Sequence, residues 1–206
     1  MRVAPSDIEL AARKKALRAA IRARRKAVPR LERAAAARQV ALNVDRAFHL
    51  HAGQRVAIYA SYGAELSTTP LIELARGRGC QVYLPRILPR TGRMRFIEAI
   101  EGGREKVNRI GIVEPQGARH IAPRWLDLVL LPLVGFDEHG VRLGMGGGYY
   151  DRAFAFRNLH AHWRGPRLVG VAYSFQQLPS IIPAAHDVRM DAVVTEKGVV
   201  RCRTGS

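Results

Sequence analysis

The run Arg142-Leu143-Gly144-Met145-Gly146-Gly147-Gly148-Tyr149-Tyr150-Asp151-Arg152 joins a glycine loop to two aromatic rings and a carboxylate. Four glycines within positions 144–148 let the backbone approach a ligand closely and adopt positive φ, which residues with a side chain resist. Amides freed in this way can point at an anion. A helix is expected over residues 149–162. The loop would then deliver a phosphate to a helix N-terminus, where unpaired N–H groups and the dipole favour negative charge. Arg142 offers a charged clamp, and Asp151 a ligand for a metal ion that bridges phosphate oxygens. Known phosphate loops fit poorly: a dinucleotide fingerprint needs glycine where Tyr149 stands, and a P-loop needs Lys-Ser/Thr after its last glycine. A lone glycine cluster is most simply a tight connection between elements. Joined to Arg, Tyr-Tyr and Asp, it reads as an anion site.

Two other positions carry chemistry. Leu10, Lys14, Leu17 and Ile21 follow the i, i+4, i+7, i+11 spacing of one helix face, with Arg18 one turn beyond Lys14 on its edge. A lysine in such a stripe can simply extend its ammonium to solvent along its aliphatic stem. Glu65 stands in the loop after an apolar strand, where a carboxylate is commonly solvated or caps the next helix, and Thr68 or Thr69 could take that cap instead. Cys80 and Cys202 lie far apart without metal-ligand spacing, so neither a disulfide framework nor a zinc site is expected. His49/His51 and His160/His162 are spaced i, i+2, which does not bring both onto one helix face, and they read as surface residues.

The elements that must position these groups alternate in an α/β manner. Helices are expected over 7–27, with Ser6 or Asp7 near the cap and Pro29 beyond the end, and over 30–50. An apolar strand at 55–61, a short helix at 69–78 and a strand at 81–84 form a right-handed βαβ unit. A strand follows at 94–99, and the glycine-rich, charged stretch 101–122 reads as irregular. Residues 126–134 are nearly all apolar, as suits a central strand covered on both faces. Strands at 168–172 and 192–195 complete the set. The expectation is a three-layer α/β fold, a mostly parallel sheet flanked by helices, as a single domain over 1–206 with N-terminal helices at 7–50 and an α/β core at 55–200. Ligands of such sheets bind beyond the C-terminal ends of the strands, where the glycine loop and the Tyr62–Glu65 loop should both lie.

Composition bounds the function. The chain has 206 residues, 48% of them hydrophobic, enough for one substantial core. No apolar run approaches the ~20 residues of a membrane span, and the N-terminus lacks a signal peptide's apolar stretch, so a cytoplasmic protein without membrane contact is expected. A net charge of +17 is the strongest case for a basic nucleic-acid-binding accessory protein. The charge, however, gathers in Arg22, Arg24, Arg25, Lys26, Arg30 and Arg33, with no aromatic residue among them to stack bases. A solvated arginine-rich helix face is the simpler reading, with no specific nucleic acid as partner, and a monomer is expected.

At the glycine loop the chain resembles the 5-formyltetrahydrofolate cyclo-ligases, also called 5,10-methenyltetrahydrofolate synthetases, whose hallmark is a G-x-R-L-G-x-G-x-G-Y-Y-D run after an apolar strand. Here that strand and approach read Leu130-Leu131-Pro132-Leu133-Val134-Gly135-Phe136-Asp137-Glu138-His139-Gly140-Val141-Arg142. Further landmarks occur in order: Lys14-Lys15-Ala16-Leu17-Arg18, Tyr59-Ala60-Ser61-Tyr62-Gly63-Ala64-Glu65-Leu66-Ser67-Thr68, and His186-Asp187-Val188-Arg189-Met190-Asp191 before Ala192-Val193-Val194-Thr195. The resemblance implies ATP and a folate as small-molecule partners, with Mg²⁺ as cofactor. It implies ATP contacts at Lys14, Arg18, Arg142, Leu143, Gly144, Met145, Gly146, Gly147, Gly148, Tyr149 and Tyr150, and folate contacts at Ala60, Glu65, Met145 and Tyr149, with Tyr62 as a stacking wall. It places the metal at Asp151 and Asp187, with Asp191 as a competing candidate. The implied reaction turns 5-formyltetrahydrofolate into 5,10-methenyltetrahydrofolate with ADP and phosphate as products, and needs no side-chain nucleophile.

Overall fold

The computed structural model describes residues 7–88, 90–108, 111–159 and 165–203. Two helices lead, α1 (Asp7–Ala27) and α2 (Arg30–Phe48). Pro29 between them cannot continue a helix, and Arg33 donates to the carbonyls of Lys26 and Val28, which α1 leaves without intrahelical partners. The expected Ser6 or Asp7 cap lies outside the described residues and side chains. α2 stops two residues earlier than expected, because His49 turns into the left-handed region at φ 49° and sends its N–H back to the Asp45 carbonyl.

The βαβ unit is present as β1 (Arg55–Ile58), α3 (Thr69–Gly77) and β2 (Gln81–Ile87). β1 is shorter than the apolar run 55–61, because side-chain bonds replace the ladder beyond it: Thr68 Oγ1 donates to the Tyr59 carbonyl at 2.7 Å, and the Tyr59 hydroxyl to the Leu66 carbonyl at 3.1 Å. β3 (Met94–Glu98) returns antiparallel to β2. Residues 101–122, expected to be irregular, contain a small antiparallel pair, β4 (Glu105–Val107) with β5 (Val113–Pro115), and a two-residue edge strand, β6 (His120–Ile121). The central strand β7 (Leu128–Pro132) is followed by a hairpin, β8 (Gly135–Phe136) and β9 (Arg142–Leu143).

The helix expected at 149–162 is broken. α4 (Tyr149–Phe154) and α5 (Phe156–Leu159) meet at Ala155, and residues 160–162 lie outside the described set. Phe154 and Phe156, two residues apart, both pack into the same core with ring centroids 6.1 Å apart. One straight helix would point them to different faces. Burying Phe154 completely is worth about 1.5–3 kcal/mol, enough to favour the break. β10 (Arg167–Val171), β11 (Ala192–Thr195) and the hairpin partner β12 (Gly198–Arg201) finish the chain.

Among the described residues the main sheet has the order β12-β11-β10-β7-β1-β2-β3-β6, parallel from β11 to β2 and antiparallel at both edges. Alternation along the strands feeds two cores. Val56, Ile58, Leu128, Leu130, Val169 and Val194 meet α2 and α3 on one face. Ala57, Val129, Leu131, Leu168 and Val193 meet Phe154 and Met190 on the other. This is the expected three-layer arrangement. α1 stands apart from both layers. Its Leu17 and Ile21 join a third cluster with Val134, Val141, Leu143 and Ile181, so the stripe that holds Lys14 docks on the β8–β9 hairpin.

Candidate active site

All parallel strands end on one side of the sheet, and the chain segments that follow them build the site. Two buried polar groups fix this rim. Asp137, 1% exposed, accepts the N–H groups of His139, Val141 and Ile181, which ties the β8–β9 turn to the segment after β10. Gln176, equally buried, donates to the carbonyls of Leu133 and Val134 and accepts the Tyr173 N–H. Every such bond satisfies a group that would be costly to bury alone.

The glycine loop runs from Gly144 to Gly148 on this rim. Gly146 (φ 100°) and Gly148 (φ 62°) occupy the left-handed region and therefore require glycine, whereas Gly144 and Gly147 do not. At Gly147 a side chain would instead meet the Tyr149 ring, 2.6 Å from an added Cβ. Gly148 caps α4, whose first amides lack helical acceptors, but six residues give a much smaller dipole than the expected fourteen-residue helix. Met145 is exposed at the loop tip.

α1 reaches this loop at two points. Arg18 Nε donates to the Gly144 carbonyl at 2.8 Å, and Arg22 Nη2 lies 3.3 Å from Met145 Sδ. Lys14, half-buried, lines a cavity of about 260 Å³ with Arg13, Leu17, Leu143 and Ser180. A wider cavity of about 670 Å³ opens at the C-terminal end of α1, between Arg24, Glu32, Tyr173 and Phe175. The arginine-rich stretch is not the uniformly solvated face expected of it. Lys26 and Arg30 are exposed, but Arg24 covers the Phe175 ring at 4.5 Å, Arg33 caps α1, Arg22 is half-buried and Arg25 is only 5% exposed. Their inward side was readable, for Arg25 stands one turn after Ile21 on the apolar stripe.

Arg142 differs from the clamp expected of it. Its side chain is 6% exposed, and the guanidinium is bonded to Asp151 and to the Val188 carbonyl beneath the loop. It braces the loop from below. Asp151 Oδ1 also accepts the Val188 N–H at 3.1 Å, which brings Asp151 next to the 187–191 segment. Asp187 accepts the Ala184 N–H through Oδ2. Asp151 Oδ2 accepts no hydrogen bond from the described residues, and Asp187 Oδ1 has the His186 Nε2 as neighbour at 3.8 Å. Two carboxylate oxygens on neighbouring segments fit Mg²⁺, which takes one or two such ligands and fills its octahedron with water and phosphate. Asp191 is engaged elsewhere. It forms a two-pronged pair with Arg157 and accepts the Leu168 N–H, so it anchors β10.

Glu65 stands in the segment between β1 and α3, close enough to Tyr150 of α4 to act on its hydroxyl. Its Oε2 accepts the Tyr62 N–H at 3.0 Å, while Thr68 occupies the cap position of α3 without a side-chain cap bond. Burial pushes the Glu65 carboxyl above its usual range, and the Tyr62 N–H, Arg25 and Arg22 hold it back. Burial, with Glu65 next in weight, raises the half-buried Tyr150 hydroxyl above its usual range. Tyr59 is buried and shifted upward for the same two reasons. Tyr150 stacks on Phe154 at 6.5 Å, and Tyr149 lies under the Arg152 guanidinium at 5.1 Å. Ala60 is half-buried beside this group. Tyr62 is 52% exposed, its ring lying over Gly111. The positions singled out from sequence thus gather on one rim, joined by Arg22, Arg25 and Tyr59.

Away from the rim, His49 and His51 are exposed and Cys80 is buried. No group of three or more potential metal ligands occurs among the described residues. No helix among them is long and apolar enough to cross a membrane.

Comparison with known proteins agrees on one family. The family model for 5-formyltetrahydrofolate cyclo-ligases matches residues 10–196. The 5-formyltetrahydrofolate cyclo-ligase of Escherichia coli K12 is 38% identical over 147 residues, which cover 70% of this chain and 79% of that protein. The structure of 5,10-methenyltetrahydrofolate synthetase from Aquifex aeolicus superposes with a TM-score of 0.78 at 30% identity, covering 94% of each chain. The Mycoplasma pneumoniae synthetase shares the fold at a TM-score of 0.69 and 24% identity, over 89% of this chain and 98% of that one. With its sheet, glycine loop and rim carboxylates in this arrangement, the chain belongs to the 5-formyltetrahydrofolate cyclo-ligase family of enzymes.

Proposed function

We propose that the enzyme converts 5-formyltetrahydrofolate and ATP into 5,10-methenyltetrahydrofolate, ADP and phosphate, with Mg²⁺ as cofactor. The observation that carries this reading is the meeting, on one sheet rim, of a loop suited to phosphate, a basic helix bonded to that loop, and a half-buried carboxylate close to Tyr150. A phosphate on the amides of Gly146–Tyr149 would have Arg18 and Lys14 beside it, and Arg18 is already aligned by the Gly144 carbonyl. Arg142 takes a supporting part by fixing the root of the loop. Asp151 and Asp187 would hold Mg²⁺, which would supply neutralisation of phosphate charge.

Glu65 is suited to accept the N–H groups of the pterin's pyrimidine ring as a two-oxygen acceptor, with Ala60 leaving room and Tyr149 and Met145 closing the pocket. The formyl oxygen is a poor leaving group. It attacks the γ-phosphorus, an O–P bond forms as the bond to ADP breaks, nitrogen 10 adds to the activated carbon, and phosphate departs with the former formyl oxygen and the proton given up by nitrogen 10. The protein need only position the reactants and neutralise developing charge.

The test mixes the pure protein with ATP, Mg²⁺ and 5-formyltetrahydrofolate. The near-ultraviolet absorbance of the methenyl product should grow, with one ADP released per product. Absence of that absorbance across pH and salt would overturn the reading.

A further inference from the structure

We propose that Arg25 is a specificity-determining residue that donates to the carbonyl oxygen of a 2-amino-4-oxo-pyrimidine ring while Glu65 accepts its adjacent N–H groups; this rests on the activity proposed above and deepens it. Arg25 stands at 5% exposure, yet its Nε has no hydrogen-bond partner among the described residues. A guanidinium is rarely buried without a partner, because desolvating its charge is costly unless something accepts its hydrogen bonds. Among the described residues no ion pair joins Arg25 to Glu65, although each lies in the other's electrostatic field. Two opposite charges therefore face one another across the rim without closing on each other. A ligand edge that presents donors to one and an acceptor to the other satisfies both.

The 2-amino-4-oxo-pyrimidine edge has that order: amino N–H, ring N–H, carbonyl oxygen. A carboxylate accepts the first two, and a guanidinium donates to the third. The groups bearing on Glu65 are Arg22 and Arg25 from α1 and the Tyr62 N–H from its own loop. Glu65 in turn acts on Tyr59 after β1 and on Tyr150 of α4. Arg25 further faces Tyr173, which follows β10. Arg22 Nε is likewise without a hydrogen-bond partner among the described residues, but Arg22 is only half-buried and its Nη2 lies against the Met145 sulfur, so Arg25 is the deeper of the two cations.

The experiment measures equilibrium binding, without ATP, of 5-formyltetrahydrofolate and of a 2,4-diaminopteridine analogue. Protonated at N1, the analogue offers Glu65 its 2-amino and N1–H donors from the opposite edge of the ring, and so sets no carbonyl oxygen beside Arg25. Arg25→Met should weaken the 4-oxo ligand on the order of tenfold to a hundredfold, as for loss of a charge-assisted hydrogen bond, while changing the diamino ligand less than about threefold. Arg25→Lys should recover part of the preference. In Arg25→Met the loss of folate binding on acidification should also move to higher pH, because Glu65 is then easier to protonate. Unfolding curves separate these effects from loss of fold. Equal weakening of both ligands, or no weakening, overturns the assignment. A parent enzyme that binds neither pteridine removes the proposed activity, and this assignment with it.

Discussion

Glu65 combines a functional position with a local cost. Burial raises its carboxyl above the usual range, so the folded chain holds that proton more tightly than the unfolded chain does. The sign follows from linkage: above the raised value the charged form weakens the fold, and the penalty vanishes as pH falls below the ordinary carboxylate range. Glu65→Gln keeps an acceptor for the Tyr62 N–H and removes the charge. In the unliganded enzyme it should melt higher than the parent at pH 7, with the two melting curves converging toward pH 4. Each kcal/mol recovered is worth about 2–4 °C in a chain of this size. The same variant should lose folate binding by at least tenfold, as fits an ion that contributes to recognition at the expense of stability. A lower melting temperature at pH 7 would show that Glu65 is there to hold its loop.

The glycine loop and α1 act as one unit, since Arg18 bonds to the loop's first carbonyl while Leu17 and Ile21 pack beneath its hairpin. Within the loop, only some glycines are required by conformation. Gly148→Ala must hold a side chain at φ 62° and Gly146→Ala at φ 100°, an expense of about 1–2 kcal/mol. Either change should raise the KM for ATP by about tenfold, because the chain escapes that expense by turning its amides away. Gly144→Ala has no positive φ and nothing within 4 Å of its added Cβ, so it should lose the least of the three. Steady-state kinetics on the three variants orders them, and a loss at Gly144 equal to that at Gly148 would mean the amides are not aimed by backbone conformation.

Across the whole molecule, the sheet holds the rim in register from one side. Gly170 in β10 faces Leu133 and Met190, with 2.6 Å and 2.7 Å from an added Cβ to their side chains, and both neighbours are buried. Gly170→Ala overpacks this site and should destabilise by about 1–3 kcal/mol, read from denaturant unfolding. Its KM values for ATP and folate should stay close to the parent's below the melting range. A large change in KM with normal stability would show that strand spacing, more than the rim segments, sets the site.

The sequence by itself settled what depends on local pattern. The apolar runs around residues 55 and 128 are of strand length and suit parallel strands covered on both faces, and the loop motif with its flanking landmarks identifies the family. Period and composition could not say which neighbour a side chain would find. Arg142 and Asp151 are nine residues apart, and only the hairpin and α4 folded together turn them into a buried pair under the loop. The helix after the loop broke at Ala155 because two aromatics sought one core, a demand that helix propensity does not register. The arginine-rich helix shows the difference most clearly. Its charges read together as a solvated face, although spacing sets Arg25 on the apolar stripe, and only the docking of α1 on the β8–β9 hairpin turns Arg25 toward Glu65, forty residues away in the chain.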